Sequence, residues 1–458
     1  MTTTVADPSA RRKWLVLATC CLSLFIVSMD ASIVNVAIPA IRTDLNASMT
    51  RLQWIIDIYT LTLATFYLLS GATADRFGRK RMFRIGLIVF GIGSLLCSLA
   101  PNIEVLIAAR LVQGLGGSML NPVAMSIITT VFPGRMERAR AVGIWGAVVG
   151  IAMALGPIVG GVLIDAWGWQ SVFWINLPIC AVAVVLTTIL VPESKSSRVR
   201  RFDPVGQLLA MIFLFTLMFG LIEAQPAIFL AAVLAVGAFI WYERRHAEPF
   251  IDLRFFHSAP FSSATVIAVF AFAGLGAFLF TNSIYLQSVR GYSAVHTGIL
   301  YLAMAMATLV SSPLSGRLVG RYGTRPSLLI AGIAMTAAAL ALTQLDPHTP
   351  VWVLLSIFAV FGLGFGAVNA PITTSAVSGM PLDRAGAAAA VASTSRQVGV
   401  SVGVALCGLL STTGVWWVIA VFTAGVALLG LLSNTAWARR SQERVAPMLE
   451  QKVLADVR

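Results

Sequence analysis

The sequence predicts an all-α integral membrane protein with fourteen spanning helices, and three observations predict it. Hydrophobic residues make up 58% of the chain and charged ones 11%, which leaves too little polar surface to cover a water-soluble domain. Apolar runs of bilayer length, about 20 residues for a hydrocarbon core about 30 Å thick, follow one another almost end to end. The charges fall where a membrane would place them. Of 32 Lys and Arg, only Arg42, Arg51 and Arg290 lie on the second side and only Arg110 and Arg396 within spans, the asymmetry expected when cytoplasmic loops hold the excess. One span missed or invented early in the chain would scramble that distribution. It therefore supports the helix number together with an orientation that puts both termini in the cytoplasm.

The elements follow in order. Residues 1–13 are too polar, and the apolar stretch after them too long, for a cleaved signal peptide, so the first span is expected to stay in place. A first bundle over residues 14–191 contains Trp14 to Ile41, Leu52 to Ala74, Met82 to Ala100, Ile103 to Val131, Ala141 to Ala166 and Ser171 to Val191. A linker region, 192–260, carries two further spans, Val205 to Ala224 and Pro226 to Tyr242. The second bundle, 261–436, contains Phe261 to Leu286, Ala294 to Leu318, Pro326 to Leu345, Val351 to Val377, Gly386 to Leu410 and Val415 to Ala436. The remaining residues, 437–458, form a cytoplasmic tail.

An internal repeat accounts for the two sets of six. Gly71-Ala-Thr-Ala-Asp75-Arg76-Phe77-Gly78-Arg79 recurs as Gly316-Arg-Leu-Val-Gly320-Arg321-Tyr322-Gly323-Thr324 at an offset of 245, and Gly114-Leu-Gly116 with Asn121 recurs as Gly362-Leu-Gly364 with Asn369 at an offset of 248. Two matches at nearly one offset imply duplication of a six-helix unit, with the seventh and eighth helices inserted between the copies. Repeated halves around a site at the bilayer midplane are a transporter architecture.

Other classes are excluded by what the chain carries. A net charge of +13 invites a nucleic-acid partner, but the basic residues alternate with spans instead of gathering on one soluble face. Cys20, Cys21, Cys97, Cys180 and Cys407 sit within apolar stretches, and His246, His257, His296 and His348 near span ends, without metal-ligand spacing. No metal site is expected. No nucleophile with its base and no phosphate-binding loop suggests an enzyme, and the chain has no room for a sensor's soluble signalling domain.

The polar residues inside the spans carry the functional reading. Asp30 lies roughly 24 Å along the first helix at 1.5 Å per residue, just beyond mid-depth, where a carboxylate costs about 2.5 to 3.5 kcal/mol and usually marks a functional site. The rival reading is a structural ion pair. Balanced between desolvation and a nearby cation, such a group can trade a proton for a cationic substrate. Arg110, Gly114, Gly117 and Asn121 fall on one helical stripe, with Gln113 beside it. Arg110 lies at a depth where it would pair or share water with Asp30, or do no more than neutralise it. In the fifth helix Gly150, Ala154, Pro157 and Gly161 form a surface poor in side chains, with Gly156 and Gly160 adjoining, against which another helix can pack and slide. Asp57 reads evenly as a second titrating group or an interfacial carboxylate. Asn35, Tyr59, Gln113, Asn121, Asn282, Tyr285, Asn369 and Arg396 are candidates to face a central cavity.

The segment Met29-Asp30-Ala-Ser-Ile-Val-Asn35-Val-Ala-Ile-Pro39 resembles the first-helix signature of the fourteen-helix drug/proton antiporter branch of the major facilitator superfamily. The other motifs follow in order over nearly the whole length. The resemblance implies the major facilitator fold, two six-helix bundles plus two inserted helices, rocking about a midplane cavity. It assigns proton coupling to Asp30 and Arg110, and a cytoplasmic gate to Gly71, Asp75, Arg76, Gly78 and Arg79, with Arg321 in the second copy where Gly320 replaces Asp75. Gly150, Gly156, Pro157, Gly160 and Gly161 are similar to the antiporter motif of exporters, the main sign of direction. The branch often has a long external loop between the last two helices; here only a few residues around Ser411 to Gly414 join them. The expected function is proton-coupled efflux of small amphipathic compounds, cationic ones first, from a monomer in the cytoplasmic (inner) membrane. It would be driven by the proton gradient without a cofactor, with protons, the substrate and the lipid bilayer as partners and no nucleic acid. The alternative is a dedicated exporter of a metabolite, peptide or lipid-like molecule.

Overall fold

A computed structural model describes residues 10–195, 203–246, 249, 251–380, 382–433, 435, 437, 438, 440, 441, 444 and 445. The predicted termini 1–9 and 446–458 and part of the linker, 196–202, lie outside the described residues.

The described residues contain fourteen long helices. The first six are α1 (Ala10–Asp44), α2 (Met49–Phe77), α3 (Arg79–Ser98), α4 (Ile103–Val131), α5 (Arg135–Trp167) and α6 (Ser171–Leu190). Two more, α7 (Pro204–Ile222) and α8 (Pro226–Glu243), precede α9 (Ala259–Val289), α10 (Ala294–Tyr322), α11 (Thr324–Leu342), α12 (Val351–Val377), α13 (Leu382–Leu409) and α14 (Thr412–Leu432). α1 begins at Ala10, not Trp14, because Arg11, Arg12 and Lys13 form an exposed or half-buried helical turn beyond the apolar stretch. α6 is broken at Ile175, between Ser171–Trp174 and Asn176–Leu190. Pro178 has no N–H to offer the Trp174 carbonyl, and its ring crowds that carbonyl. α2 bends by 51° between Met49–Tyr67 and Leu69–Phe77, beside the Ser70-Gly71 pair, a sequence at which helices kink.

Twelve of the fourteen are long and apolar enough to cross a bilayer by length and composition. The two others are α2, whose bent halves reach that standard only together, and α13, which carries Arg396 and a run of hydroxyl residues. They pack on each other, so their polar faces are shielded from lipid.

The packing repeats as the sequence does. In the first bundle α3 lies on α4 and α6, α2 on α4, and α1 on α5; in the second, α11 lies on α12 and α14, α10 on α12, and α9 on α13. Gly116 abuts Gly86 and Phe90, and Gly364 abuts Ala331 and Met335, so close that a Cβ at either glycine would collide with the neighbouring backbone. The turns match too. α2 and α10 both end on glycines of positive φ, Gly78 at 110° and Gly323 at 76°, a conformation that costs glycine little. α7 and α8 pack together at the side, α7 resting on α2 and α13.

The two bundles meet through α5 against α10 and α2 against α13. The contact is tight at the end bearing the α1–α2, α5–α6 and α9–α10 loops. There Gly161 abuts Ala294 and Val295, Gly298 abuts Pro157, and Gln53 Nε2 donates to Val404 O (2.6 Å) and Ala405 O (3.0 Å). At the opposite end, a Cβ at Gly143, Gly316 or Gly320 would meet nothing within 4 Å. Along α5 and α10 the contact is therefore closed at one end and open, or splayed, at these positions toward the other.

Candidate functional site

Asp30 is fully buried between α1, α4 and α6. Arg110 Nη1 donates to its Oδ2 at 2.5 Å, while Gln113 Nε2 (2.8 Å) and Asn176 Nδ2 (3.3 Å) donate to Oδ1. The same two amides donate to Ser94 Oγ on α3 at 2.8 and 3.2 Å. Arg110 is itself fixed on three sides. Its Nη1 reaches Gln113 Oε1 (2.6 Å), its Nε donates to Ile55 O on α2 (3.1 Å), and its guanidinium lies 4.0 Å from the centre of the Tyr59 ring. One carboxylate thus joins three helices, α1, α4 and α6, and the cluster reaches α3 through the two amides and α2 through Arg110.

The local reasons lie in helical spacing and small residues. Arg110 and Gln113 stand one turn apart on α4 and so reach the same point. Gly114 sits against the backbone of Tyr59 and Gly93 against that of Gln113, which brings α2 and α3 close enough to enclose the polar groups. Asn176 projects from the first turn after the break in α6. A buried charge is costly unless paired and hydrogen-bonded, and three donors on two oxygens meet that condition.

Asp57 is a different case. It is 0% exposed, so it is not an interfacial carboxylate. It sits on the α2 face that carries Gln53 and Thr60 toward α13, where Thr60 and Ser401 share a 2.5 Å hydrogen bond. Neither Asp57 oxygen has a hydrogen bond of ordinary geometry; the Ser401 hydroxyl is its polar neighbour. An uncompensated carboxylate therefore occupies the seam between the halves.

The remaining candidates separate by place. Tyr59 and Gln113 belong to the Asp30 cluster and are 1% and 0% exposed, so they do not face an opening between the halves in this state. Asn35 and Asn282 are buried and bond to carbonyls of their own helices, Ala31 and Phe278. Tyr285 lies at the far end of α9 and donates to Asp346 O in the α11–α12 loop. Asn121, Asn369 and Arg396 keep part of their surface exposed near mid-depth. Arg396 Nη2 donates to Thr373 Oγ1 (2.7 Å) and its guanidinium lies 5.8 Å from the Phe272 ring centre. Tyr67 receives bonds from Asn121 on α4 (3.4 Å) and Gln397 on α13 (3.2 Å), bridging the halves where they begin to part.

At the splayed end, Asp75 Oδ1 accepts from Arg79 Nε and Nη2 at 3.1 and 2.9 Å, and Arg79 also donates to Thr130 Oγ1 on α4. Lys80 N donates to Glu193 Oε1 (3.2 Å), and the Glu193 carboxylate fills the space beside Gly78. Arg76 and Arg321 are exposed, and Gly71 approaches Pro122 only loosely. The α5 glycines divide between two neighbours. Gly156 and Gly160 abut Ser32 and Ile33 of α1, whereas Gly150, Pro157 and Gly161 face α10.

Sequence reasoning missed Asn176, Ser94 and Tyr67. Asn176 carried a signal, an amide just ahead of a proline inside an otherwise apolar run; Ser94 carried none.

Known proteins agree with this architecture. The family model for the Major Facilitator Superfamily matches residues 20–404. The multidrug resistance protein Stp of Mycobacterium tuberculosis is 37% identical over 417 residues, 89% of this chain and 77% of that protein. The tetracenomycin C resistance and export protein of Streptomyces glaucescens is 34% identical over 88% of this chain and 77% of its own length. The xylose transporter XylE of E. coli, solved in an inward open conformation, superposes with a TM-score of 0.64 at 14% identity over 92% of this chain and 96% of that chain.

Proposed function

This chain belongs to the Major Facilitator Superfamily, and we propose that it is an antiporter that expels small amphipathic toxic compounds across the cytoplasmic membrane in exchange for protons. Relatives named for resistance to antibiotics support the substrate class. The observation that carries the coupling is the buried Asp30–Arg110 pair, an ionisable couple that ties together α1, α4, α6 and α2.

The splayed end carries the Lys/Arg-rich loops, so by the positive-inside preference it faces the cytoplasm and the state is inward-facing. Here Asp30 is sealed and both its oxygens are engaged, so substrate and proton do not compete for the same atom in this state. Coupling runs through packing. A proton on Asp30 removes the partner of Arg110 and loosens α1 from α4. Because Gly156 and Gly160 seat α5 on α1, that movement passes to α5 and from there to the α5–α10 contact that closes the outer end. Asn121, Asn369, Tyr67 and Arg396 form the polar part of the substrate path. Asp75 and Arg79, bound to each other in this state, act as the inner gate when the halves close. A one-for-one exchange of a proton for a monovalent cation moves no net charge. The pH gradient alone then drives it, at about 1.4 kcal/mol per unit, unless Asp57 carries a second proton and adds about 2.3 kcal/mol per 100 mV.

The test is substrate-induced proton release in proteoliposomes, comparing the purified protein with Asp30→Asn over a panel of lipophilic cations and neutral drugs. Proton movement in the wild type, and binding without proton movement in the variant, supports coupled antiport. No response to any compound hands the reading to a dedicated exporter, which the tetracenomycin C relative also fits.

A further inference from the structure

Beside the central path, α7, α8, the short turn Leu253–His257 and the α2–α13 seam enclose a cavity of about 830 Å³, within the range of about 300 to 1,000 Å³ of ligand sites. Its wall is apolar, with Phe213, Leu214, Phe239, Val269 and Val398 prominent. Its rim carries Arg244, His246, Arg254 and His257. Two acids, Glu243 and Asp252, also line it, but both are buried and already engaged. Glu243 is 3% exposed and accepts from Ile251 N, and Asp252, 4% exposed, is held by Arg254 Nε and Nη2 at 2.8 and 2.7 Å. That contact raises the Arg254 guanidinium above its ordinary range, so the cation persists. Arg244 and His257 are exposed. Beside them Arg245 stacks over Trp241 at 4.1 Å, a pair suited to the headgroup level. An apolar shaft beneath a basic rim, at the end of the molecule that carries the basic loops, is complementary to an acidic lipid.

We propose that this cavity binds an anionic phospholipid of the cytoplasmic leaflet, its phosphate on Arg244 and His257 and an acyl chain lying between α8 and α9 against the α2–α13 seam. The proposal uses the orientation given above but not the identity of the exported compound. The chain would rest on Ala64, Thr65 and Thr394. Thr65 O accepts from Gln207 Nε2 of α7 (2.5 Å), and Thr394 Oγ1 donates across the seam to Ala64 O (3.1 Å). A bound lipid therefore steadies the contact between the bundles, and the inserted helices form the outer wall of a lipid site.

The experiment is native mass spectrometry of the full chain with phosphatidylglycerol and phosphatidylcholine of identical acyl chains, for the wild type, Arg244→Ser/His257→Ser and Val236→Trp. The last fills the cavity from α8 and leaves the rim cations in place. The Arg244 cation, with the His257 ring N–H as a further donor, should favour phosphatidylglycerol by about fivefold. That preference should vanish in the double variant, Val236→Trp should retain neither lipid, and millimolar inorganic phosphate should leave the wild-type preference unchanged because the acyl chain is part of the ligand. Elution as a single symmetric peak shows that each variant is folded. Equal retention of the two lipids by the wild type, or an undiminished preference in either folded variant, overturns the proposal. So does displacement of phosphatidylglycerol by a lipophilic cation, which would make the cavity an entry point for exported compounds.

Discussion

Replacing Asp30 with Asn keeps the shape of the side chain and removes its charge, and the surroundings set the cost. If the Asn oxygen faces Arg110, its NH2 faces the donating amides of Gln113 and Asn176. If it turns over, the NH2 faces Arg110 Nη1, which donates to Asp30 Oδ2 at 2.5 Å in the native pair. Either way donors oppose donors and a buried guanidinium is left unpaired. Removing one partner of a buried pair typically costs about 3 to 5 kcal/mol. Arg110→Leu alone leaves Asp30 as the orphan and should cost a similar amount, whereas Asp30→Asn/Arg110→Leu removes both charges. The double variant should therefore be more stable than the sum of the single losses predicts by at least about 2 kcal/mol. The assay is a double-mutant cycle on the thermal midpoint of the purified protein at one scan rate, read alongside drug-induced proton release, which both single variants should lose. A single variant as stable as the wild type, or additive losses, would refute the view that this pair holds the first bundle together.

Other expectations follow from the same geometry. Asp57→Asn removes a buried carboxylate with no hydrogen bond of its own, so it should leave stability unchanged or raise it by about 1 kcal/mol, and a large loss in the same thermal assay would contradict its uncompensated placement. Gly161→Leu inserts a side chain where α5 meets the backbone of Ala294 and Val295; transport should fall at least tenfold, and cysteines placed on the outer loops should become more reactive to an impermeant maleimide. Gln53→Leu removes two donations to α13 and should shift the balance away from the inward-facing state by about 1 to 2 kcal/mol, measurable as faster labelling from outside. Arg396→Gln keeps a donor for Thr373 Oγ1 but removes the charge, and should change the ranking of exported anionic against cationic compounds without altering the thermal midpoint.

Much of this molecule was legible in the sequence because its signals are long or periodic. Fourteen apolar runs, the alternation of basic loops and the offset repeat give the helices, and the repeat reappears as matching crossings at Gly116 and Gly364 and matching turns at Gly78 and Gly323. The pairing of Asp30 with Arg110 was legible from depth alone. Its enclosure was not, because Asn176 and Ser94 are neutral residues on other helices with no spacing to announce them. Tyr59 and Gln113 looked like cavity residues because a polar group in a span must face something polar; a sealed ion pair meets that need as well as an opening does. Asp57 read equally as a titrating group or an interfacial carboxylate, because its distance to the helix end cannot register that α13 covers it. The break in α6 follows from Pro178, yet hydropathy reads straight across it.

The mutual dependence of α2 and α13 bears on how the chain is made. A translocon admits a helix to lipid largely on its own hydrophobicity, and an arginine near the middle counts about 2.5 to 3.5 kcal/mol against entry. α13, with Arg396 and the Ser393-Thr394-Ser395 run, is poorly suited to enter alone. By the time it leaves the ribosome, however, α2 and α9, the helices it packs on, are already in the membrane. The order of synthesis thus supplies the penultimate helix with its solvent, and a second bundle expressed without the first should leave α13 outside the bilayer.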